Sequence, residues 1–135
     1  MSENYQTLTA SQINYLITLF HLNSGNVGIR CVDIAKALEI TKPSVHTMMK
    51  TLTAMKLVRK TRYGNVFLSE DGIKAAQQYD GYYKTVISYF EEYLCLSRKQ
   101  AGRSALAVLS ELSVEEIECM CVKIDKTREG ILDVS

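Results

Sequence analysis

Two helical periods separated by a short break occupy the middle of the chain, in the run DIAKALEITKPSVHTMMKTLTAMKLV from Asp33 to Val58. Ile34, Ala35 and Leu38 recur at i, i+1 and i+4 and predict a short helix with one apolar stripe. Glu39, Ile40 and Thr41 form the break. Thr41 is placed to cap a second helix, and Pro43 falls in its first turn, where a missing N–H costs little. Val45, Met48, Met49, Leu52 and Met55 then line one side of that helix. Its other side carries Lys42, Ser44, His46, Thr47, Lys50 and Thr51. A stop, a turn and an amphipathic restart spell a helix-turn-helix. The polar side offers amines and short hydrogen-bonding groups of the kind that reach base edges and phosphates in a major groove.

The flanking patterns extend this unit. Leu8 to Ile13 has the form of a capping box, Thr9 with Gln12, and opens a helix whose stripe is Ile13, Leu16, Ile17 and Phe20. Asn23-Ser24-Gly25-Asn26 ends it, and Val27 to Arg30 suits a short strand. After the second helix, VRKTRYGNVFL from Val58 to Leu68 reads as two β-prone runs around Tyr63-Gly64-Asn65, where Gly and Asn tolerate the positive φ of a tight hairpin. Such a wing would carry Arg59, Lys60 and Arg62 beside the helix, where cations bind phosphate. The expected DNA-binding set is therefore Thr41, Lys42, Ser44, His46, Thr47, Lys50, Thr51, Arg59, Lys60 and Arg62. His21, with no second ligand at helical spacing, is read as solvated or capping.

Ser69, followed by Glu70 and Asp71, starts a long helix expected to run to about Leu94. It holds Tyr79, Tyr82, Tyr83, Tyr89, Phe90 and Tyr93 with Val86 and Ile87 between them, a wider apolar surface than one lobe needs. Tyr79, Tyr82, Tyr83, Val86 and Phe90 are the expected dimerisation residues, because aromatics concentrate in interface cores. Two further capping boxes, Ser97 with Gln100 and Ser113 with Glu116, divide the remainder into two helices. Their apolar sides are Ala101, Ala105, Leu109 and Leu112, then Ile117, Met120, Cys121 and Ile124, and the periodicity fades after Lys126. The expected fold is mainly α: a winged helix-turn-helix DNA-binding lobe over 1–72, followed by an all-helical dimerisation module over 73–135.

Net charge is +1, but its distribution is uneven. Residues 1–68 hold eight Lys/Arg against three Asp/Glu, and residues 69–135 hold eight against twelve, so the halves carry +5 and −4. A basic lobe fits attraction to double-stranded DNA, which repels the acidic remainder. No run approaches about 20 uninterrupted apolar residues, and MSENYQT has no signal pattern, so a cytoplasmic protein with no membrane span is expected. Cys31, Cys95, Cys119 and Cys121 make no C-x-x-C pair; buried, reduced thiols are expected, with Cys119/Cys121 redox sensing as the alternative. No nucleophile set, phosphate-binding glycine loop or paired histidines can be assembled, so no enzyme is expected.

The pieces LTASQINYLITLF, VDIAKALEITKPSVHTMMKTL, the wing with its RYG, and LSEDGIKAA entering the long helix resemble the diphtheria-toxin-repressor and manganese-transport-regulator (DtxR/MntR) family. The likeness runs from Leu8 to Ser113 and is to the short form without an SH3-like domain. Its helix-turn-helix portion is shared in general form with other winged-helix regulators, such as the MarR family. The resemblance implies a homodimeric repressor, one winged helix per half of a palindromic operator, with manganese or ferrous iron as co-repressor. The chain departs from the family at the metal. Thr9 to Asn14 offers no carboxylate, the long-helix ligand position falls on Tyr83 or Lys84, and the last trio falls on Leu106, Leu109 and Ser110. None of these suits Mn²⁺ or Fe²⁺, so no metal cofactor is expected.

Three activation routes stay open at this point: a permanently competent shape with Leu106 and Leu109 in place of the metal; an unknown small-molecule effector among Tyr82, Tyr83, Tyr89 and the two leucines; or an unfamiliar metal site of Asp80, Glu91 and Glu92. The alternatives to a metal-family regulator are a winged-helix protein-interaction adaptor and a MarR-like regulator answering to a small organic ligand.

Overall fold

The computed structural model describes residues 7–25, 27–61 and 63–130. Arg62, one of the expected DNA-binding residues, lies outside the described residues, as does the tail after Gly130. The element order is α1 (Ala10–Leu22), α2 (Cys31–Leu38), α3 (Lys42–Ala54), β1 (Val58–Lys60), β2 (Val66–Leu68), α4 (Glu70–Tyr93), α5 (Arg98–Glu111) and α6 (Val114–Arg128). This mostly helical architecture with one small hairpin is that of a winged helix-turn-helix followed by a helical module. One compact unit spans Gln12–Gln78, so it ends inside α4, further along than 72, and the described residues up to Ser11 group with the other unit, which holds Tyr79 onward.

In the first unit α1 buries Ile13, Tyr15, Leu16, Ile17 and Leu19, while Phe20 keeps partial exposure. Those positions occupy most of the helix circumference rather than one stripe, which makes α1 central. Glu39 closes α2 in the left-handed region, φ 56°, and Ile40 N–H returns to Ala35 O at 3.0 Å. Thr41 then caps α3, its hydroxyl accepting from Ser44 N–H at 3.3 Å, with Pro43 in the first turn. Val45, Met49 and Leu52 are buried, as the period requires.

The wing pairs Val58 with Leu68, Arg59 with Phe67 and Lys60 with Val66 in an antiparallel register. Gly64, φ 86°, supplies the left-handed residue of its turn. Val27 to Arg30 contributes one bridge, Ile29 to Val66, rather than a strand. Ser69 joins the wing to α4: its N–H donates to Leu57 O at 2.9 Å, its hydroxyl donates to Lys56 O at 2.8 Å, and that hydroxyl accepts from Gly72 N–H at 2.9 Å. This junction belongs to the first unit, so the early turns of α4 are part of the winged helix and not of the helical module.

In the second unit both capping boxes form. Ser97 Oγ accepts from Gln100 N–H at 3.2 Å while Gln100 Oε1 accepts from Ser97 N–H at 3.1 Å, and Ser113 and Glu116 do the same at 3.1 and 2.9 Å. Val86, Ile87, Ala101, Ala105, Leu109, Ile117 and Ile124 are buried. Gly102 lets α5 approach α4, since a Cβ there would sit 2.7 Å from the Tyr83 hydroxyl. Arg98 pairs with Glu91 at 3.0 Å, Arg128 with Glu92 at 2.7 Å, and Tyr82 donates to Glu118 at 2.9 Å, tying α5 and α6 to the long helix.

The cysteines depart from the expectation of burial. Cys121 is buried, Cys31 partly so, and Cys95 and Cys119 are exposed. Two residues along a helix turn the side chain to the other side, so Cys119 faces out where Cys121 faces in. Burial, with Asp125 and Glu118 adding to it, pushes the Cys121 thiol up to about 11. A thiol reagent at neutral pH is therefore expected to modify Cys95 and Cys119 promptly and Cys121 only after denaturation. Equal rates for all three in the native protein would refute this placement. The unfolded chain ionises Cys121 from about 9, so this thiol makes folding stability decline as pH rises from there towards about 11.

Candidate nucleic-acid interface

The surface of α3 follows from its period and its cap. With Val45, Met49 and Leu52 turned inward, Lys42, Ser44, His46, Thr47, Lys50 and Thr51 are all exposed on the remaining side, with Thr41 at its head. Among the described residues no carboxylate pairs with Lys42 or Lys50. Their ammonium groups are thus free to meet phosphate or an acceptor on a base.

Two of the hydroxyls, those of Thr47 and Thr51, are already committed as donors. Thr47 donates to Pro43 O at 3.0 Å and Thr51 to Thr47 O at 3.4 Å, the back-bonding available to threonine inside a helix. Thr41 and Ser44 share a hydroxyl–hydroxyl contact at 2.9 Å. What Thr47 and Thr51 present outward are lone pairs, suited to amino groups such as cytosine N4 or adenine N6. Lys42 and Lys50 thus offer cationic donors, and Thr47 and Thr51 neutral acceptors.

The wing cations do not act as one group. Cross-strand partners share a face, which puts Arg59 with Phe67 and Lys60 with Val66 on opposite sides of the hairpin. The Arg59 guanidinium lies over the Phe67 ring, 4.5 Å from its centre. Lys60 reaches α3, its Nζ 2.9 Å from His46 Nδ1. Sequence reasoning passed over Tyr63, whose side chain is 84% exposed at the wing turn. An aromatic between an arginine and a glycine in a predicted turn was the available signal.

The helical module redistributes the expected dimerisation residues. Tyr79 and Val86 are buried within the chain itself and present no surface, whereas Tyr82, Tyr83 and Phe90 keep partial exposure. Helices α5 and α6 meet α4 at Tyr82, Tyr83, Ile87, Glu91 and Glu92, on surface that one helix alone would leave open. An open groove of about 460 Å³ is lined by Tyr89 and Phe90 of α4 and by Cys119, Met120, Lys123 and Ile124 of α6, among others. Of the residues expected around an effector, only Tyr89 borders it.

The side chains at the positions where the resemblance would place metal ligands have other surroundings. Leu109 is buried, Ser110 donates to Ala107 O at 2.8 Å, and Lys84 is paired with Asp80 at 3.0 Å. Burial raises the Tyr83 phenol above its usual range, more than Arg98 lowers it, so it is a neutral phenol and not an anionic ligand near pH 7. Asp80, Glu91 and Glu92 do not converge either, each being engaged by its own cation, Lys84, Arg98 and Arg128. Among the described residues no three His, Cys, Asp or Glu side chains gather into a metal-binding group.

Residues 19–62 match the IclR helix-turn-helix domain. Over 110 residues, 82% of this chain and 88% of the relative, the sequence is 27% identical to an uncharacterized HTH-type transcriptional regulator of Methanocaldococcus jannaschii. The fold is shared with a hypothetical protein of Sulfolobus solfataricus, at TM-score 0.64 and 22% identity over 88% of this chain and 91% of that one. It is also shared with the manganese regulator SloR, at TM-score 0.72 and 19% identity over 92% of this chain. The match spans 55% of the SloR chain. The chain thus carries a helix-turn-helix DNA-binding domain of the kind found in transcriptional regulators. Among the described residues no helix is long and apolar enough to cross a membrane.

Proposed function

We propose that this protein is a dimeric transcription regulator, a repressor, that binds a palindromic operator with one winged helix per half-site. Helix α3 lies in the major groove and the hairpin rests against the flanking backbone. The observation that carries this reading is the α3 face, seven exposed hydrogen-bonding residues with two lysines that no described carboxylate pairs, on a lobe of net charge +5. Such a surface matches a polyanion with readable edges better than it matches a protein partner, whose interface core is depleted in lysine.

The dimer framework is that of the DtxR/MntR repressors, supported by the shared fold with the manganese regulator SloR and by the sequence pieces that resemble the family. The manganese or iron switch is absent, because Tyr83, Lys84, Leu106, Leu109 and Ser110 cannot converge as donors. Leu109, buried in the helical module, supplies apolar contact in its place.

Selection of DNA fragments by the purified protein, with and without added Mn²⁺, tests the whole reading. One tight palindromic site recovered in both conditions is the expected result. A strict Mn²⁺ requirement would overturn the metal-free part, and no retained DNA would overturn the rest. On the selected site Lys50→Ala is expected to weaken binding, and where Lys50 meets phosphate the salt slope falls by about one unit. An unchanged operator titration would remove Lys50 from the interface.

A further inference from the structure

The contact between His46 and Lys60 joins the recognition helix to the wing, and its chemistry is directional. Lys60 Nζ stands 2.9 Å from His46 Nδ1. An ammonium group has three donors and no acceptor, so the contact requires a lone pair on Nδ1. The ring proton then belongs on Nε2, at the other end of the imidazole. Lys42 and Lys50 stand one turn before and one turn after His46 on α3, a helix with no acidic residue, and Lys60 comes from β1. His46 is exposed and sits in the first half of α3, the part of such a helix that meets base edges.

We infer that Lys60 is a positioning residue that holds His46 as the Nε2–H tautomer, making His46 a single outward donor that reads a base-edge acceptor: guanine O6 or N7, adenine N7, or thymine O4. A cytosine amino group at the same point would set donor against donor. The inference rests on the proposed docking of α3 in the major groove and goes beyond it by assigning opposite duties to adjacent wing cations. Arg59, on the other face with Phe67, is available to the backbone. Lys60 acts through His46. A phosphate-binding lysine strengthens every sequence alike and adds to the salt slope, whereas a tautomer-setting lysine sharpens the preference at one base pair.

Nitrogen-15 NMR of the DNA-free protein at mildly alkaline pH reports which ring nitrogen of His46 carries the proton. A single Nε2–H form is expected in the parent and in Lys60→Arg, and a mixture of tautomers in Lys60→Met, which keeps the apolar stem and removes the donor. A parent protein with the proton on Nδ1 overturns the inference whether or not DNA binds. On the selected operator, with each base pair replaced in turn, Lys60→Met and His46→Phe are expected to flatten the same preference of about tenfold at one position. An even loss across all sequences, with the salt slope lower by about one unit, would return Lys60 to a phosphate and overturn the inference. Failure to retain any DNA defeats the proposed function and the base-reading half together, whichever tautomer the NMR finds.

Discussion

Replacing Gly72 by alanine is expected to destabilise the winged-helix unit by about 3 kcal/mol, the upper end of what overpacking costs. A Cβ built at Gly72 lands on the Leu57 carbonyl oxygen, with the Leu57 carbonyl carbon only 2.9 Å away. These are backbone atoms and cannot swing aside as a side chain would. Leu57 O also accepts from Ser69 N–H, and Ser69 Oγ holds both Lys56 O and Gly72 N–H, so retreat of either segment breaks the join between wing and α4. Urea unfolding should show a lower midpoint with an unchanged slope. Ser69→Ala, which loses the cap without a clash, should cost about 1 kcal/mol. A Gly72→Ala protein within 0.5 kcal/mol of the parent, on the order of an ordinary surface substitution, would mean that this junction is not packed as described.

Reversing both lysines of the recognition face, Lys42→Glu with Lys50→Glu, is expected to weaken operator binding by about two orders of magnitude or more. Two cationic contacts are lost and two repulsions are gained against a polyanion, with each lost phosphate contact lowering the salt slope by about 0.9. The design of this variant separates binding from folding. Both side chains are exposed and no described carboxylate pairs with them. Lys42 is the first residue of α3, where a carboxylate is favoured by the positive end of the helix dipole. Thermal stability should therefore be held or slightly raised while affinity collapses. Retention of parental affinity at physiological salt would place the nucleic-acid surface elsewhere on the molecule.

Much of the fold could be read because its signals are local. A cap needs only a hydroxyl three residues before an amide, and Thr41, Ser97 and Ser113 each do what their positions predict. Pro43 and Gly64 punctuate the chain as their backbones allow. The turn after α2 was less legible in detail, because Glu39 takes a left-handed conformation usually given to glycine or asparagine. Along α3, periodicity sufficed to show which side chains stand outward, since the helix is amphipathic and short. On α4 it did not. Tyr79 and Val86 carry the same apolar label as Tyr82 and Phe90, yet the first pair is buried in the chain and the second is partly open. Only the packing around each position distinguishes them. Asp80 is a similar case, a carboxylate on a long helix that is 5% exposed and paired to Lys84.

From residue order alone came the helix-turn-helix, the wing and the polar face of α3, all properties of neighbours within a few positions. Tertiary structure decided that Arg59 and Lys60 face apart, that Lys60 reaches His46 fourteen residues earlier in the chain, and that the junction at Gly72 admits no side chain. The physical reason is range: capping and amphipathic period act within about one helical turn, whereas a strand's register or a close backbone approach depends on where distant segments have been brought by the packing of the core.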